Sequence, residues 1–368
     1  MRGNITRRGK HSWRIKFDGD PDAVTGDRRI HYATVKGKRA DAEAELARLL
    51  NDAHRGTLID TSRVTVSSYL HSWLDGKLDI TGVTRERYTE IIDNRIVPAL
   101  GHIELQRLRP KHVQDWLSIL SKSGGRRYGQ GLSPRTVRHC YRVLWGALKQ
   151  AVRLELLSRN VADAATPPRL KDDEVEILTP DQIRAVRDAL RGHRLGPIAS
   201  LGLASGCRLG ELLALRWGDI DGTTLTVERS LEHTKAGLQF KSPKTKHGRR
   251  KISLPPSALA ELAVHRGDLL RHPEALLFSN PDGSPIKPTN ISVQWHREIR
   301  LIKGVPNVTF HALRHTHASA LIAGKLDVVS VSRRLGHSSP VITLKVYAHL
   351  FGDGADTDAA DAIERMMK

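Results

Sequence analysis

The chain has 368 residues with 59 Lys and Arg against 40 Asp and Glu, and at about 150 residues per domain this length predicts two or three domains. The net charge of +19 favours nucleic acid as a partner, and 39% hydrophobic residues exclude a fibrous or disordered chain. Two cysteines exclude a disulfide framework and favour a cytoplasmic protein. No stretch approaches the roughly 18 apolar residues of a membrane span, so no membrane partner is expected.

The N-terminal residues 1–56 are predicted to form a small sheet backed by a helix. Apolar and basic residues alternate in two segments, 13–17 and 29–32, which is typical of half-buried strands. A helix is predicted over 41–53. The basic face of the two strands is expected to carry Arg14, Lys16, Arg29 and His31.

This N-terminal segment also carries an excess of positive charge. Residues 1–39 contain eleven basic and four acidic residues, a net charge of +7. We therefore predict that Arg14, Lys16 and Arg29 contact DNA, while a merely solvated strand edge is the alternative.

Residues 63–165 are predicted to be helical. Thr65 and Thr84 are N-cap candidates, Pro98 is expected to end a helix, and Ser133-Pro134 opens the longest helix. Nine Lys or Arg against one acidic residue lie between 121 and 160, which indicates a surface that follows phosphates. The expected DNA contacts of this surface are Arg126, Arg127, Arg135, Arg138 and Arg142.

A Pro-rich and then acidic segment, 166–177, is predicted to be a linker. Beyond it, residues 178–368 show mainly helical patterns. Short strands near 224–228, 237–241 and 250–254 predict a small antiparallel sheet on this helical body.

The chemistry-bearing motifs follow one another in a defined order. A Gly-x-Arg-x-x-Glu turn ends at Glu211, a basic segment spans 241–251 on a predicted β-hairpin, and Leu-Gly-His ends at His337. The His-x-x-Arg pattern occurs three times in the chain, close to the number expected by chance, so only its order among the other motifs makes the copy at 311–314 informative. Tyr347 follows ten residues after His337.

This ordered set resembles the signature of the tyrosine recombinase (phage integrase) family. The resemblance implies six catalytic residues: Arg208, Lys244, His311, Arg314, His337 and Tyr347. It also implies that Glu211 is a supporting carboxylate. Lys241 and Lys246 remain rivals for the role of the hairpin lysine.

The resemblance extends to a multidomain architecture. Residues 1–56 are similar to the α+β arm-type DNA-binding module of the longer integrases, and 63–165 to the all-α core-binding (SAM-like) domain. Residues 178–368 resemble the mainly α catalytic domain with its small antiparallel sheet.

The expected chemistry needs no cofactor. Two guanidiniums neutralise the charge of a phosphodiester, and the phenol of Tyr347 forms a phosphotyrosyl bond that stores the energy for rejoining. Accordingly, the chain has no Gly-x4-Gly-Lys-Ser/Thr loop. A metal site at His311, His315 and His317 is not expected, because the Glu of a His-Glu-x-x-His motif is missing.

The sequence therefore predicts a site-specific DNA recombinase, the integrase of a phage or integrative element. Its implied partners are double-stranded attachment sites, a homo-tetramer on DNA, a DNA-bending host factor and a directionality factor. The alternatives are a chromosome-dimer-type resolvase, which usually lacks an arm module, a non-catalytic DNA-binding protein of the same fold, and a type IB topoisomerase.

Overall fold

The computed structural model describes residues 3–18, 30–54, 63–125, 129–170, 175–242, 248–267, 272–350, 363–364 and 366–367. The chain divides into two compact units, Met1–Lys171 and Asp172–Lys368. The fold is rich in helices and has small antiparallel sheets, as the sequence predicts. None of the described helices is long and apolar enough to cross a membrane.

The first unit begins with a three-stranded antiparallel sheet in the order β1 (Gly3–Gly9), β2 (Ser12–Asp18) and β3 (Ile30–Lys36). Helix α1 (Arg39–His54) packs on one face through its leucines, over the buried side chains of Ile15 and Phe17. The period-two alternation of β2 leaves Arg14 and Lys16 on the opposite, open face. The prediction of a sheet backed by a helix agrees with this arrangement.

The predicted orientation of β3 was wrong. The register pairs Phe17 with His31, whose rings stack 5.2 Å apart, so His31 lies on the face covered by α1. Lys16 pairs with Tyr32, which is 49% exposed. The register of strand pairing decides which face of the sheet a side chain occupies. The apolar character of Tyr32 therefore did not predict its face correctly. Arg29 lies outside the described residues.

The helical part of the first unit is built around one apolar core. In the longest helix, Ser133 accepts a hydrogen bond from the Thr136 amide, and Pro134 occupies the first turn. Buried residues recur at helical spacing from Val137 to Ala151. The helices are α2 (Val66–Asp75), α3 (Gly82–Ile91), α4 (Val97–Leu100), α5 (Pro110–Ser123) and α6 (Pro134–Arg153).

Two local predictions in this part need correction. Thr81, and not Thr84, caps α3, because the Thr81 hydroxyl accepts the Thr84 amide. Pro98 does not end a helix: it lies in the first turn of α4, after a π-helical turn at Ile92–Ile96. The Val97 amide donates to the Ile92 carbonyl across that wider turn, so the chain stays helical as it enters the proline. Thr65 caps α2 as predicted.

The second unit is a helical body that carries two small sheets. Its helices are α7 (Pro180–Ala189), α8 (Leu195–Ser205), α9 (Leu209–Leu212), α10 (Pro256–Arg266), α11 (Pro288–Ile299), α12 (Ala312–Ala323), α13 (Val328–Leu335) and α14 (Pro340–Tyr347). Its strands are β4 (Ile220–Asp221), β5 (Thr224–Val227), β6 (Ser230–Thr234), β7 (Gly237–Lys241) and β8 (Arg250–Ser253).

The sheet topology corrects the predicted hairpin over 241–251. Strand β7 pairs with β6, whereas β8 pairs with β5 in a separate sheet of order β4-β5-β8. The strands on either side of 242–249 therefore do not pair with each other in the described structure. Strands β5, β7 and β8 nevertheless form where the sequence predicts strands.

Candidate active site

The carboxylate of Glu211 is the centre of the candidate site. Arg208 precedes α9 as its N-cap residue, and its backbone amide donates to Glu211 Oε2 at 2.9 Å. The Arg208 guanidinium Nη1 donates to Glu211 Oε1, also at 2.9 Å. One short turn thus holds Arg208 by both its backbone and its side chain, while the guanidinium remains 44% exposed.

A second arginine, Arg250 at the start of β8, shares this carboxylate. Its Nη2 lies 2.7 Å from Glu211 Oε2, and both side chains are nearly buried. Burial alone raises the pKa of Glu211, but the hydrogen bond and charge of Arg250, with help from Arg208, bring that pKa below its ordinary value. Glu211 therefore remains an anion at neutral pH and fixes both arginines.

Arg314, in the first turn of α12, is the second arginine predicted for the site. Its Nη1 donates to the Gly206 carbonyl at 2.7 Å, and the residue is 3% exposed. The Nη2 atom is buried with no hydrogen-bond partner among the described residues. Burial and the charge of Arg208 lower the Arg314 pKa to about 10, so the guanidinium stays charged at neutral pH. Buried charged donors normally have a partner, so this unpaired atom distinguishes Arg314 from the paired Arg250.

The turn at Gly206 is fixed by the helix behind it. Gly206 has φ +65°, and a Cβ there would lie 2.5 Å from the His317 ring. His317 Nδ1 donates to the Leu203 carbonyl, and its Nε2 accepts from Arg334. Glycine at 206 is therefore required both by the backbone conformation and by the close approach of His317.

His311 and His337 are the two histidines that the motif predicts. Burial, followed by the charges of Arg314 and Arg208, lowers the pKa of His311 and lowers that of His337 to about 4. The same two arginines thus lie within electrostatic reach of both rings. At neutral pH these imidazoles are uncharged, and His337 Nδ1 is 2.8 Å from the Thr343 hydroxyl.

Tyr347, at the end of α14, is 2% exposed, and its hydroxyl lies 2.5 Å from His315 Nδ1. Burial raises the pKa of Tyr347 to about 12, although Arg314 opposes this shift. Burial, with the charges of His311 and Arg314, lowers the pKa of His315 to about 4. The phenol and the imidazole are consequently both neutral at pH 7.

Some predicted site residues cannot be placed. Lys244 and its rival Lys246 lie outside the described residues, as do Arg126 and Arg127. The other rival, Lys241, is described and forms an ion pair with Glu232 at 2.6 Å.

The three remaining basic residues predicted on the helical surface lie on α6, away from its buried stripe: Arg135, Arg138 and Arg142.

The histidines of α12 are not arranged as metal ligands. Both ring nitrogens of His317 form hydrogen bonds with protein groups. Within the described ranges, no group of three or more His, Cys, Asp or Glu side chains is arranged to hold a metal ion.

Two site residues were missed by sequence reasoning. Arg250 is two residues before the buried Ile252 in β8 and therefore lies on the same face, so the period of two could have revealed its inward orientation. His315 is four residues from His311, which places both on one side of α12. Their rings meet edge to face at 4.7 Å. The contact of His315 with Tyr347 has no signal in the sequence, because 32 residues separate them.

Comparison with known families agrees with this geometry. Residues 176–352 match the phage integrase family, and residues 65–121 match the phage integrase N-terminal SAM-like domain. The chain belongs to the phage integrase family of tyrosine recombinases. The family predicted from the motif order is thereby confirmed, and the chain is a tyrosine-type site-specific DNA recombinase.

Relatives of this recombinase align along most of their length. A tyrosine recombinase XerC-like protein of Caldanaerobacter subterraneus subsp. tengcongensis is 28% identical over 386 residues, covering 94% of each chain. The integrase of Mycobacterium phage D29 is 28% identical over 323 residues, covering 83% of each.

Solved structures share the fold of this recombinase. The Tn1549 transposon integrase, in complex with a circular intermediate DNA, superposes with a TM-score of 0.68 at 19% identity, over 82% of this chain and 99% of that one. A lambda integrase tetramer bound to a Holliday junction gives a TM-score of 0.59 at 18% identity, over 92% and 96%.

Replacing the central carboxylate should weaken the fold of the recombinase. Glu211→Gln removes the charge that two arginines share, and breaking a buried pair of this kind costs about 3–5 kcal/mol. Since the folded-state pKa of Glu211 is lowered, its contribution is complete above the ordinary value of 4.5 and is lost as the pH falls below it. Urea unfolding from pH 3 to 7 should therefore show a steeper acid loss of stability in the wild type than in Glu211→Gln.

The matched control is Glu261→Gln, which removes a carboxylate paired at the surface with Arg187. This variant should lose at most about 1 kcal/mol and keep the wild-type acid profile. Identical profiles for the wild type and Glu211→Gln would show that Glu211 is not the charged centre of the site.

Proposed function

We propose that this chain is the integrase of a phage or integrative element, and that it cleaves and rejoins double-stranded attachment sites through a 3′-phosphotyrosyl bond on Tyr347. The observation that carries the proposal is the unpartnered Nη2 of Arg314, charged and buried beside the Arg208–Glu211 pair. Such a donor fits the non-bridging oxygen of a phosphodiester.

The two arginines are proposed to bind the phosphate from different sides. Arg208 is partly exposed and reaches the DNA from the N-terminus of α9, whereas Arg314 receives the phosphate from the interior. Both guanidiniums are held by protein oxygens before DNA arrives, which orients them in advance toward the charge that develops in the transition state.

The two histidines of the motif complete the anion site. His337 has one nitrogen engaged by Thr343, which leaves Nε2 for a phosphate oxygen. His311 lies at the start of α12 and is proposed to contact the same phosphate. Since both rings are neutral, the positive charge of the site comes from the arginines.

Tyr347 is the nucleophile in this proposal. The phenol O–H bond breaks and its proton passes to a base, the oxygen forms a new bond to phosphorus, and the bond from phosphorus to the 5′ oxygen breaks. Lys244, the hairpin lysine that the family resemblance implies, supplies the proton to the departing 5′ oxygen. The 5′ hydroxyl of a second strand reverses the step, so rejoining needs no ATP.

We assign the chain to three DNA-contacting parts joined by a linker. Residues 1–56 form the arm module, 63–165 the core-binding domain, 166–177 the linker and 178–368 the catalytic domain. The open face of the N-terminal sheet supports the first assignment, because the Arg14 guanidinium lies 4.3 Å from the exposed Tyr32 ring and next to Lys16. The basic stripe of α6 supports the second.

The working assembly is proposed to be a homo-tetramer on two DNA sites, by analogy with the lambda integrase tetramer on a Holliday junction. A DNA-bending host factor and a directionality factor are the further partners we expect.

We place the protein in the cytoplasm because its two cysteines are free thiols.

The nucleophile can be tested on the core site, once footprinting with the purified chain has located it. Tyr347→Phe keeps the ring and removes the attacking oxygen, so it should bind the site normally and form no covalent adduct with a nicked suicide duplex. The adduct is scored on a denaturing gel. A covalent adduct from Tyr347→Phe would refute the mechanism.

The general acid can be tested with a better leaving group. Lys244→Ala should slow cleavage of ordinary DNA by about 10²-fold or more, but should hardly slow cleavage of a 5′-bridging phosphorothiolate, whose thiolate leaves without a proton. Lys241→Ala is the matched control: Lys241 is paired with Glu232, so its loss should affect both substrates equally. Equal slowing of both substrates by Lys244→Ala would move the role to another residue.

The arm can be tested by its salt dependence. Replacing Arg14 and Lys16 with Gln should abolish protection of a separate arm sequence, and should flatten the log–log salt dependence of binding by about 0.9 for each lost phosphate contact. Core-site cleavage should be retained. The control replaces Arg39 and Arg48, which are exposed on α1 and paired with Glu43 and Glu45. An unchanged slope and footprint would favour the chromosome-dimer-type resolvase.

A further inference from the structure

The hydroxyl of Tyr347 makes a contact that the proposed mechanism does not use. Its oxygen lies 2.5 Å from His315 Nδ1, and no other side-chain partner of this oxygen occurs among the described residues. His315 is half-buried, directly after Arg314 in α12. The atom that would attack DNA is thus hydrogen-bonded to an imidazole outside the motif.

The other two histidines are less suited to this contact. His337 engages Thr343 through its Nδ1 atom. The contact described for the His311 ring is with His315, which it meets edge to face. The order of contacts is therefore His311, His315 and Tyr347, and His315 is the histidine that touches the reacting oxygen.

We propose that His315 is a further catalytic residue, the base that accepts the Tyr347 proton during DNA cleavage. This inference rests on the proposed function of Tyr347. In the step, the Tyr347 O–H bond breaks and its proton moves to His315 Nδ1, giving an imidazolium. The oxygen uses the released electron pair to bond to phosphorus, and the 5′ oxygen leaves with a proton from the general acid. On rejoining, His315 returns its proton to Tyr347.

The same contact keeps the nucleophile neutral without DNA. With pKa values of about 12 for Tyr347 and about 4 for His315, proton transfer between them is strongly unfavourable. Within the described ranges, the titratable and charged groups that face His315 are His311, Arg314 and Tyr347. Burial, then His311 and Arg314, lower the His315 pKa. A bound phosphate places negative charge against Arg314, which raises the pKa of His315 and favours the transfer.

The test compares acceptors that can and cannot take a proton. In His315→Asn, the amide oxygen can accept the Tyr347 hydrogen bond near the position of Nδ1 but cannot act as a base. This variant should bind the core duplex like wild type and cleave the nicked suicide substrate about 10²-fold more slowly at pH 7. Its cleavage rate should rise with pH toward 10, as hydroxide takes over the proton.

The control is His265→Asn, which removes another hydrogen-bonded imidazole from the same unit and should cleave at the wild-type rate. A wild-type rate for His315→Asn would overturn the proposal. So would a slow rate whose pH profile has the wild-type shape, because a purely structural loss does not change proton demand.

A second variant covers the case in which His315→Asn does not fold. His315→Ala leaves a space for added imidazoles, and cleavage should be rescued faster by imidazoles of higher pKa. Rescue that is absent, or independent of imidazole pKa, would overturn the proposal. Tyr347→Phe, run in parallel, separates the two claims: an adduct from that variant refutes the proposed function, whereas the His315 results concern the base alone.

Discussion

The buried carboxylate of Glu211 is the constraint on which the site depends. It is shared by Arg208, at the N-terminus of α9, and by Arg250, at the start of β8, so one anion ties a helix to a sheet. Taking a carboxylate out of water is costly unless its lone pairs are occupied, and here two guanidiniums and a backbone amide occupy them. The exposed arginine can therefore face a phosphate without moving.

The described charges around this centre are mainly positive, because Arg208, Arg250 and Arg314 surround the one carboxylate of Glu211. Arg314 is buried and charged and has a donor with no partner among the described residues, whereas the histidines and Tyr347 are neutral at pH 7. Burial and then the neighbouring positive charges keep the imidazole pKa values low, and the same positive charge attracts anions. In the proposed mechanism, a bound phosphate would offset the positive charge of the arginines and thereby couple DNA binding to activation of the nucleophile.

Sequence reasoning succeeded where the signal is local and failed where it depends on tertiary contacts. The order of motifs from Gly206 to Tyr347 predicted the family, and Ser133 marked the start of α6 because capping is a short-range interaction. The prediction of which β3 side chains face the core was wrong, because strand register depends on a partner strand. The contact of His315 with Tyr347 joins two helices and has no counterpart in spacing along the chain.

The central claim is that Tyr347 becomes covalently attached to DNA. The trapped adduct can be digested with nuclease and trypsin and analysed by tandem mass spectrometry. Trypsin should release residues 346–365, a peptide that contains a single tyrosine. The account predicts a residual nucleotide on this peptide, with fragment ions that place its phosphate on Tyr347. A nucleotide on any other residue would contradict it.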